Sequence, residues 1–218
     1  MNQETDSAGL PAAPPGNHGA EQRNDRRVAL LLRAGKLVSP EGEFLCIVRD
    51  ASAGGIKARL LHSLPAGGTF DLELANGEIY PLALVWQADG HAGFRFLERP
   101  IDVHGLVDEP SSYPKRGLRL RLTLPVTLTE AGQERPAMLR DISQHGAQIE
   151  IEPGLAIGRR IALHGSGLPE MQATVRWRRR AAHGLVFQRG FRLDELAELV
   201  GRLRTADIAG NAGKRAVC

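Results

Sequence analysis

The sequence predicts an all-β (β-rich) protein made of two tandem antiparallel barrels or sandwiches, with a helix after the second. Three observations predict it. A D-x-S-x-x-G string formed by Asp50, Ser52 and Gly55 returns as Asp141, Ser143 and Gly146, an offset of 91 residues. The same offset pairs Arg49 with Arg140, Gly67 with Gly158, Trp86 with Trp177, Gly93 with Gly184 and Phe96 with Phe187, and these tryptophans are the only two in the chain. Third, each copy is filled by short segments that alternate or carry β-branched and aromatic residues, most of them separated by Gly, Pro, Asn or Asp.

The elements follow in chain order. Residues 1–21 are polar with several prolines and glycines, and a disordered leader is expected. A first domain over residues 22–100 reads as six strands: 27–38, 44–49, 55–61, 70–74, 79–86 and 92–97. Asn76-Gly77 between two of these runs is a hairpin signal, because both residues tolerate positive φ. Residues 101–114, bordered and ended by proline, form the expected linker. A second domain over 115–205 repeats the pattern with strands near 119–129, 137–140, 147–151, 160–164, 172–178 and 184–188. Leu193, Leu196, Leu199, Val200 and Leu203 then make one apolar helical stripe. Asp194 and Glu195 at its start and Arg202 and Arg204 at its end suit the helix dipole. Residues 206–218 are expected to be a flexible tail.

Composition narrows the function. The 218 residues suit two domains of ordinary size. No apolar run approaches the roughly 18 residues that a membrane helix needs, and no charged-then-apolar signal pattern opens the chain. Cys46 and Cys218 suggest no disulfide framework, so a soluble cytoplasmic protein is expected. The net charge of +3 hides an asymmetry. Residues 1–110 carry 10 basic and 15 acidic side chains, and residues 111–218 carry 18 and 10. The basic second half suits an anionic ligand or an acidic face of a downstream protein partner.

An arginine cluster lies upstream of each D-x-S-x-x-G string. The first reads Gln22-Arg23-Asn24-Asp25-Arg26-Arg27, and the second Lys115-Arg116-Gly117-Leu118-Arg119-Leu120-Arg121. A guanidinium offers a planar fork of donors that fits phosphate oxygens and the O6/N7 edge of guanine. Ionised Asp only accepts, so it suits the N–H groups on the opposite guanine edge. Gly lets a backbone approach closely. Together these residue types suit a ligand with both phosphates and guanines. Taken alone, each string is equally a hairpin turn in which Asp and Ser cap backbone N–H groups.

Arg23-x-x-x-Arg27 followed by Asp50-x-Ser52-x-x-Gly55 resembles the PilZ family, receptors for cyclic di-GMP. Trp86 before Gly93-Phe94-Arg95-Phe96, and Trp177 before Gly184-Leu185-Val186-Phe187, are similar to that family's last two strands. The resemblance implies a six-stranded antiparallel barrel in each copy, often with a C-terminal helix, and no catalytic activity or cofactor. It also implies that the arginines wrap onto cyclic di-GMP from an N-terminal loop, while the D-x-S-x-x-G residues hold it from the barrel. The ligand residues carried over to the first domain are Arg23, Arg27, Asp50, Ser52 and Gly55. Those of the second are Arg119, Asp141, Ser143 and Gly146, with Lys115 in the first arginine place and Arg116 or Arg121 as substitutes. Lysine lacks the guanidinium fork, so the first domain is expected to bind more strongly than the second. The alternative is a protein–protein interaction module that keeps the fold without the ligand.

Other signals point elsewhere only in isolation. His164-Gly165-Ser166-Gly167 lacks the frame of a nucleophile elbow, a P-loop lysine and a third dinucleotide-binding glycine, and reads as a hairpin turn. The histidines show no zinc spacing with the cysteines, and no carboxylate pair stands out, so neither metal nor catalytic residues are assigned. The run Arg176–Arg180 around Trp177 reads as a solvated basic strand end rather than a nucleic-acid surface.

Overall fold

The computed structural model describes residues 28–98, 101 and 117–215. Arg23, Arg27, Lys115 and Arg116 fall outside the described residues. So do the expected leader, nearly all of the linker and the last three residues.

Strands β1 (Val28–Ser39), β2 (Gly42–Ser52), β3 (Gly55–Leu60), β4 (Thr69–Leu74), β5 (Ile79–Ala88) and β6 (His91–Phe96) close into an antiparallel barrel in the order β1-β2-β3-β6-β5-β4. Strands β7 (Leu120–Glu130), β8 (Gln133–Ile142), β9 (Gly146–Glu150), β10 (Arg160–Gly165), β11 (Leu168–Arg179) and β12 (Ala182–Phe187) close in the equivalent order. A helix, α1 (Leu193–Arg215), follows. The predicted all-β class, the two six-stranded barrels and the C-terminal helix are all present. Closure leaves neither sheet with a free edge.

Each barrel has its own core, built from inward-facing alternate residues. In the first, Leu37, Val48, Leu72, Leu82 and Phe96 are fully buried, and Phe70 meets Phe94 edge-on at 5.9 Å. In the second, Leu120, Leu128, Leu139, Ile149 and Val175 do the same. Helix α1 adds Leu196, Leu199, Val200 and Leu203 to this second core, the stripe read from the sequence. At its start, the Arg192 N–H donates to Glu195 Oε2 at 2.9 Å, half of a capping box. The helix does not stop near residue 205. It continues to Arg215, where the sequence reading placed a loose tail, because no proline interrupts 204–215. Strand β8 likewise starts at Gln133, ahead of the expected Ala137. Pro136 is tolerated there because β9 pairs with β8 only from Met138 onward, so no partner on that side needs its missing N–H.

Seven register shifts break the strict alternation among the described residues, and six of them fall at equivalent places in the two barrels. Between β2 and β3, Val48 pairs with Ala58 and Asp50 with Lys57, which leaves Arg49 as the extra residue. Between β8 and β9, Leu139 pairs with Ile149 and Asp141 with Gln148, which leaves Arg140 as the extra residue. A β-bulge reverses the parity of the strand beyond it. Val48 and Leu139 point into the cores, so plain alternation would turn Asp50 and Asp141 inward as well; the bulge turns them out. The repeated arginines 49 and 140 are the bulge residues themselves.

The barrels pack together through the outer face of the β1–β2 hairpin. Leu45 is wholly buried and belongs to the second barrel's core, with Ala34 and Leu61 packed against it. Beside it the Arg204 guanidinium donates to the Glu43 carbonyl and lies 5.8 Å from the Phe44 ring centre. His62 meets Phe44 edge-on, and its pKa is lowered from the usual 6.5, by burial first and by the Arg204 charge second. Burial pushes the Cys46 thiol up to about 12, which leaves it unreactive inside the first core. Among the described residues no helix is long and apolar enough to cross a membrane, and no cluster of His, Cys, Asp and Glu is arranged to hold a metal.

Two predictions follow from this packing. Leu45→Ala removes a first-barrel side chain from the second core and should lower stability by about 2–5 kcal/mol, read as a lower denaturant midpoint. The unfolded chain holds the His62 proton more readily than the folded one, so the His62 contribution is intact above pH 6.5. It is lost as pH falls from 6.5 toward the lowered folded value. Stability should therefore drop between pH of about 7.5 and about 5.5, and drop less in His62→Gln, by denaturant unfolding at the two pH values.

Candidate functional site

In each barrel the D-x-S-x-x-G string forms the tight bend that joins two strands. In the first, Ser52 Oγ accepts from the Gly54 N–H at 3.3 Å and donates to the Gly55 carbonyl at 3.4 Å. In the second, the Ser143 N–H and Oγ both donate to the Gly146 carbonyl, at 2.8 and 3.0 Å. The serines therefore close the bend. The glycines are required for a different reason. A Cβ on Gly55 would run into the backbone carbonyl of Phe94, and one on Gly146 into that of Leu185, in the strand alongside. Neither glycine has positive φ, so close backbone approach is the constraint. Ser and Gly are thus engaged in the bend itself, while the Asp carboxylate is the acidic group of the string turned to the outer face.

The bend lies at one end of a row that crosses the outer face of the sheet. In the first barrel the row runs Asp50, Lys57, Gly93, Trp86, each paired with the next. In the second it runs Asp141, Gln148, Gly184, Trp177. Directly paired residues share a face of the sheet. A second bulge, at Val85 and at Arg176, brings each tryptophan out onto this face, 44% and 38% exposed. Each indole covers the glycine opposite, where a Cβ would collide with the ring. These tryptophans stand on the outer wall, in line with the aspartates. Lys57 and Gln148 were not singled out from the sequence. They keep the 91-residue offset and stand two places after the bend glycine, a signal that differs in residue type and so was passed over.

Among the predicted residues the second barrel brings together Arg119, Asp141, Ser143 and Gly146. Arg119 immediately precedes β7, and its Nη1 donates to Asp141 Oδ1 at 2.9 Å. Gly117 passes alongside Ser143, so the lead-in chain crosses the bend. An ion pair with an arginine this exposed is worth about 0–1 kcal/mol, little enough for an anionic ligand to displace. Arg121 pairs with Asp141 in the ladder, and its side chain is largely in solvent. In the first barrel Asp50, Ser52 and Gly55 occupy the equivalent places. Val28 pairs with Ala51 as Leu120 pairs with Ile142, so Arg27 precedes β1 in sequence as Arg119 precedes β7.

Residues 114–203 match the model of the PilZ domain family. The second barrel is a PilZ domain. The match covers this PilZ domain and its helix as far as residue 203; the first barrel shares its strand order, its bulges and its bend. No curated protein matches the chain. Among solved structures, PlzA of Borreliella burgdorferi in complex with c-di-GMP aligns at 13% identity and a TM-score of 0.35, covering 83% of this chain and 93% of that one. The Bacillus subtilis inhibitor of motility MotI aligns at 11% identity and 0.32, covering 81% and 96%. YcgR of Escherichia coli, also in complex with c-di-GMP, aligns at 12% identity and 0.31, covering 84% and 88%.

The bend makes its own prediction. Gly146→Ala drives a Cβ onto the Leu185 carbonyl and should cost the PilZ domain about 1–3 kcal/mol in thermal unfolding. Gly158→Ala, whose Cβ has open space, should be destabilised only by its positive φ.

Proposed function

We propose that this protein is a cyclic di-GMP receptor of the PilZ type that acts as a signalling effector rather than an enzyme. The observation that supports it best is the pairing of Arg119 with Asp141, at 2.9 Å, across the bend of a PilZ domain. A guanidinium from the lead-in chain and a carboxylate from the barrel meet at one exposed point. When the ligand enters, a phosphate takes the guanidinium, and the aspartate accepts from the N–H groups of a guanine edge. The outer-face row continues the surface beyond the aspartate, with Gln148 or Lys57 beside it.

The two barrels then differ in strength. Asp50 is flanked by Lys57, and the arm before β1 carries two true arginines, Arg23 and Arg27. The second barrel has Lys115 in the first arginine place and an Asp141 that must exchange one partner for another. The first barrel is accordingly the stronger site in this reading. Ligand binding orders the arginine arm, because phosphate oxygens neutralise guanidinium groups that otherwise repel one another. The ordered arm then alters how the two barrels meet, and so what a downstream protein partner sees.

Calorimetric titration with cyclic di-GMP tests this. Arg23→Ala/Arg27→Ala and Asp50→Ala should each weaken the stronger site by about tenfold to a hundredfold, the loss of one or more bidentate contacts. Asp141→Ala should act on the weaker site alone. Affinities equal to that of the parent chain in all three variants would reject the assignment. Absence of any binding would leave the protein–protein interaction module as the better reading.

A further inference from the structure

We propose that Lys36 and Glu43 of the first barrel are positioning residues for the ligand site of the second, acting through the backbone that carries Arg119. The inference rests on the ligand reading just given. Both side chains are nearly wholly buried, at 4% and 6% exposure. Buried charges persist only when attraction and hydrogen bonds repay their lost hydration. Lys36 Nζ is met by Glu73 Oε2 at 2.8 Å, by Glu43 Oε1 at 3.4 Å and by the Arg119 carbonyl at 3.0 Å. Glu43 Oε2 accepts from the Arg121 N–H at 2.7 Å, and its Oε1 lies 3.7 Å from Arg121 Nε. Arg204 donates to the Glu43 carbonyl from helix α1.

Part of this network is therefore directed at the other barrel's main chain. The two contacts flank Leu120, whose side chain is fully buried in the second core. The chain is fixed at three successive residues: by the carbonyl of 119, the side chain of 120 and the N–H of 121. Arg119 precedes β7, so no strand ladder fixes its carbonyl; Lys36 does. The exposed Arg119–Asp141 pair has little energy with which to hold its own backbone in place. Charge-assisted hydrogen bonds in a dry interface have more. The docked first barrel thus sets where the Arg119 guanidinium starts from. The second barrel's site is complete only with the first in place.

The test is titration of the full chain with cyclic di-GMP in an Asp50→Ala parent, so that the heat reports the second site. Removing Lys36 alone would strand the buried Glu43, whereas Lys36 keeps Glu73 at 2.8 Å when Glu43 loses its charge, so the pair is replaced together by apolar residues, Lys36→Met/Glu43→Leu. Affinity is expected to fall about tenfold, with the circular dichroism spectrum retained. In an Arg119→Ala background the same replacement should have no further effect. Glu43→Gln keeps an oxygen for the Arg121 N–H and should bind within about twofold of the parent; a loss in Glu43→Gln as large as in the paired replacement would overturn the inference. So would full affinity in the paired variant, or an equal loss in both backgrounds, which marks general loosening. A parent chain that binds no ligand would overturn the ligand reading first, and this inference with it.

Discussion

The direction in which each aspartate faces is decided by one extra residue in its strand. Val48 and Leu139 point into their cores, and a two-residue step in a regular strand would send Asp50 and Asp141 after them. A carboxylate cannot sit unpaired in such a core without a cost of several kcal/mol. The bulge at Arg49 and Arg140 removes the conflict. It lets the strand bury Val48 and Ala51, or Leu139 and Ile142, while the two residues between them face outward. A matching bulge at Val85 and Arg176 turns the tryptophans out onto the same face, at the other end of the row. The barrel interior and its outer row thus come from the same strands, and the ligand reading depends on this change of parity.

The fold was legible because its signals are local. Strand segments, turn residues and an apolar helical stripe each occupy a few consecutive positions, and the repeat presented them twice. The bend was legible for the same reason, since Asp, Ser and Gly lie within six positions of one another. The bulges are not legible in the sequence, although Arg49 and Arg140 stand out as a repeated pair. A bulge is a relation between two strands, and one strand alone does not show which residue lacks a partner. The outward turn of the tryptophans is hidden for that reason: a large aromatic in an apolar strand looks like core until the extra residue before it is counted.

The contact between the barrels was illegible for a stronger reason. Lys36 stands in a strand of mostly apolar residues, and nothing in its neighbours says that a carbonyl 83 positions away will accept its hydrogen bond. Leu45 reads as a core residue of its own barrel, yet it is buried in the other. Such contacts depend on two folded surfaces meeting, and the repeat gives no help, because the interface joins unlike parts of the two copies. The Thr127 that matches Lys36 by offset lies in β7 and has no such role. Charge in an otherwise apolar strand was the one available signal.

Duplication gave two copies of one bend, and the differences between them lie in what surrounds the aspartate. Asp141 has an arginine partner, with neutral Gln148 beside it in the ladder, and sits in the half of the chain that carries the excess of basic residues. Asp50 has Lys57 beside it in the ladder, in the half with the acidic excess. An anion approaching the second barrel is drawn by the wider field but must break an existing pair. At the first barrel it meets a weaker field and depends on the arginines of the preceding arm. Long-range attraction raises the rate of encounter, while direct bidentate contact governs how long the ligand stays. In the proposed reading the two barrels therefore divide these tasks differently. The lead-in to the second is held by the first barrel through Lys36 and Glu43, so the place from which Arg119 reaches Asp141 depends on the interface as well as on the barrel that carries it.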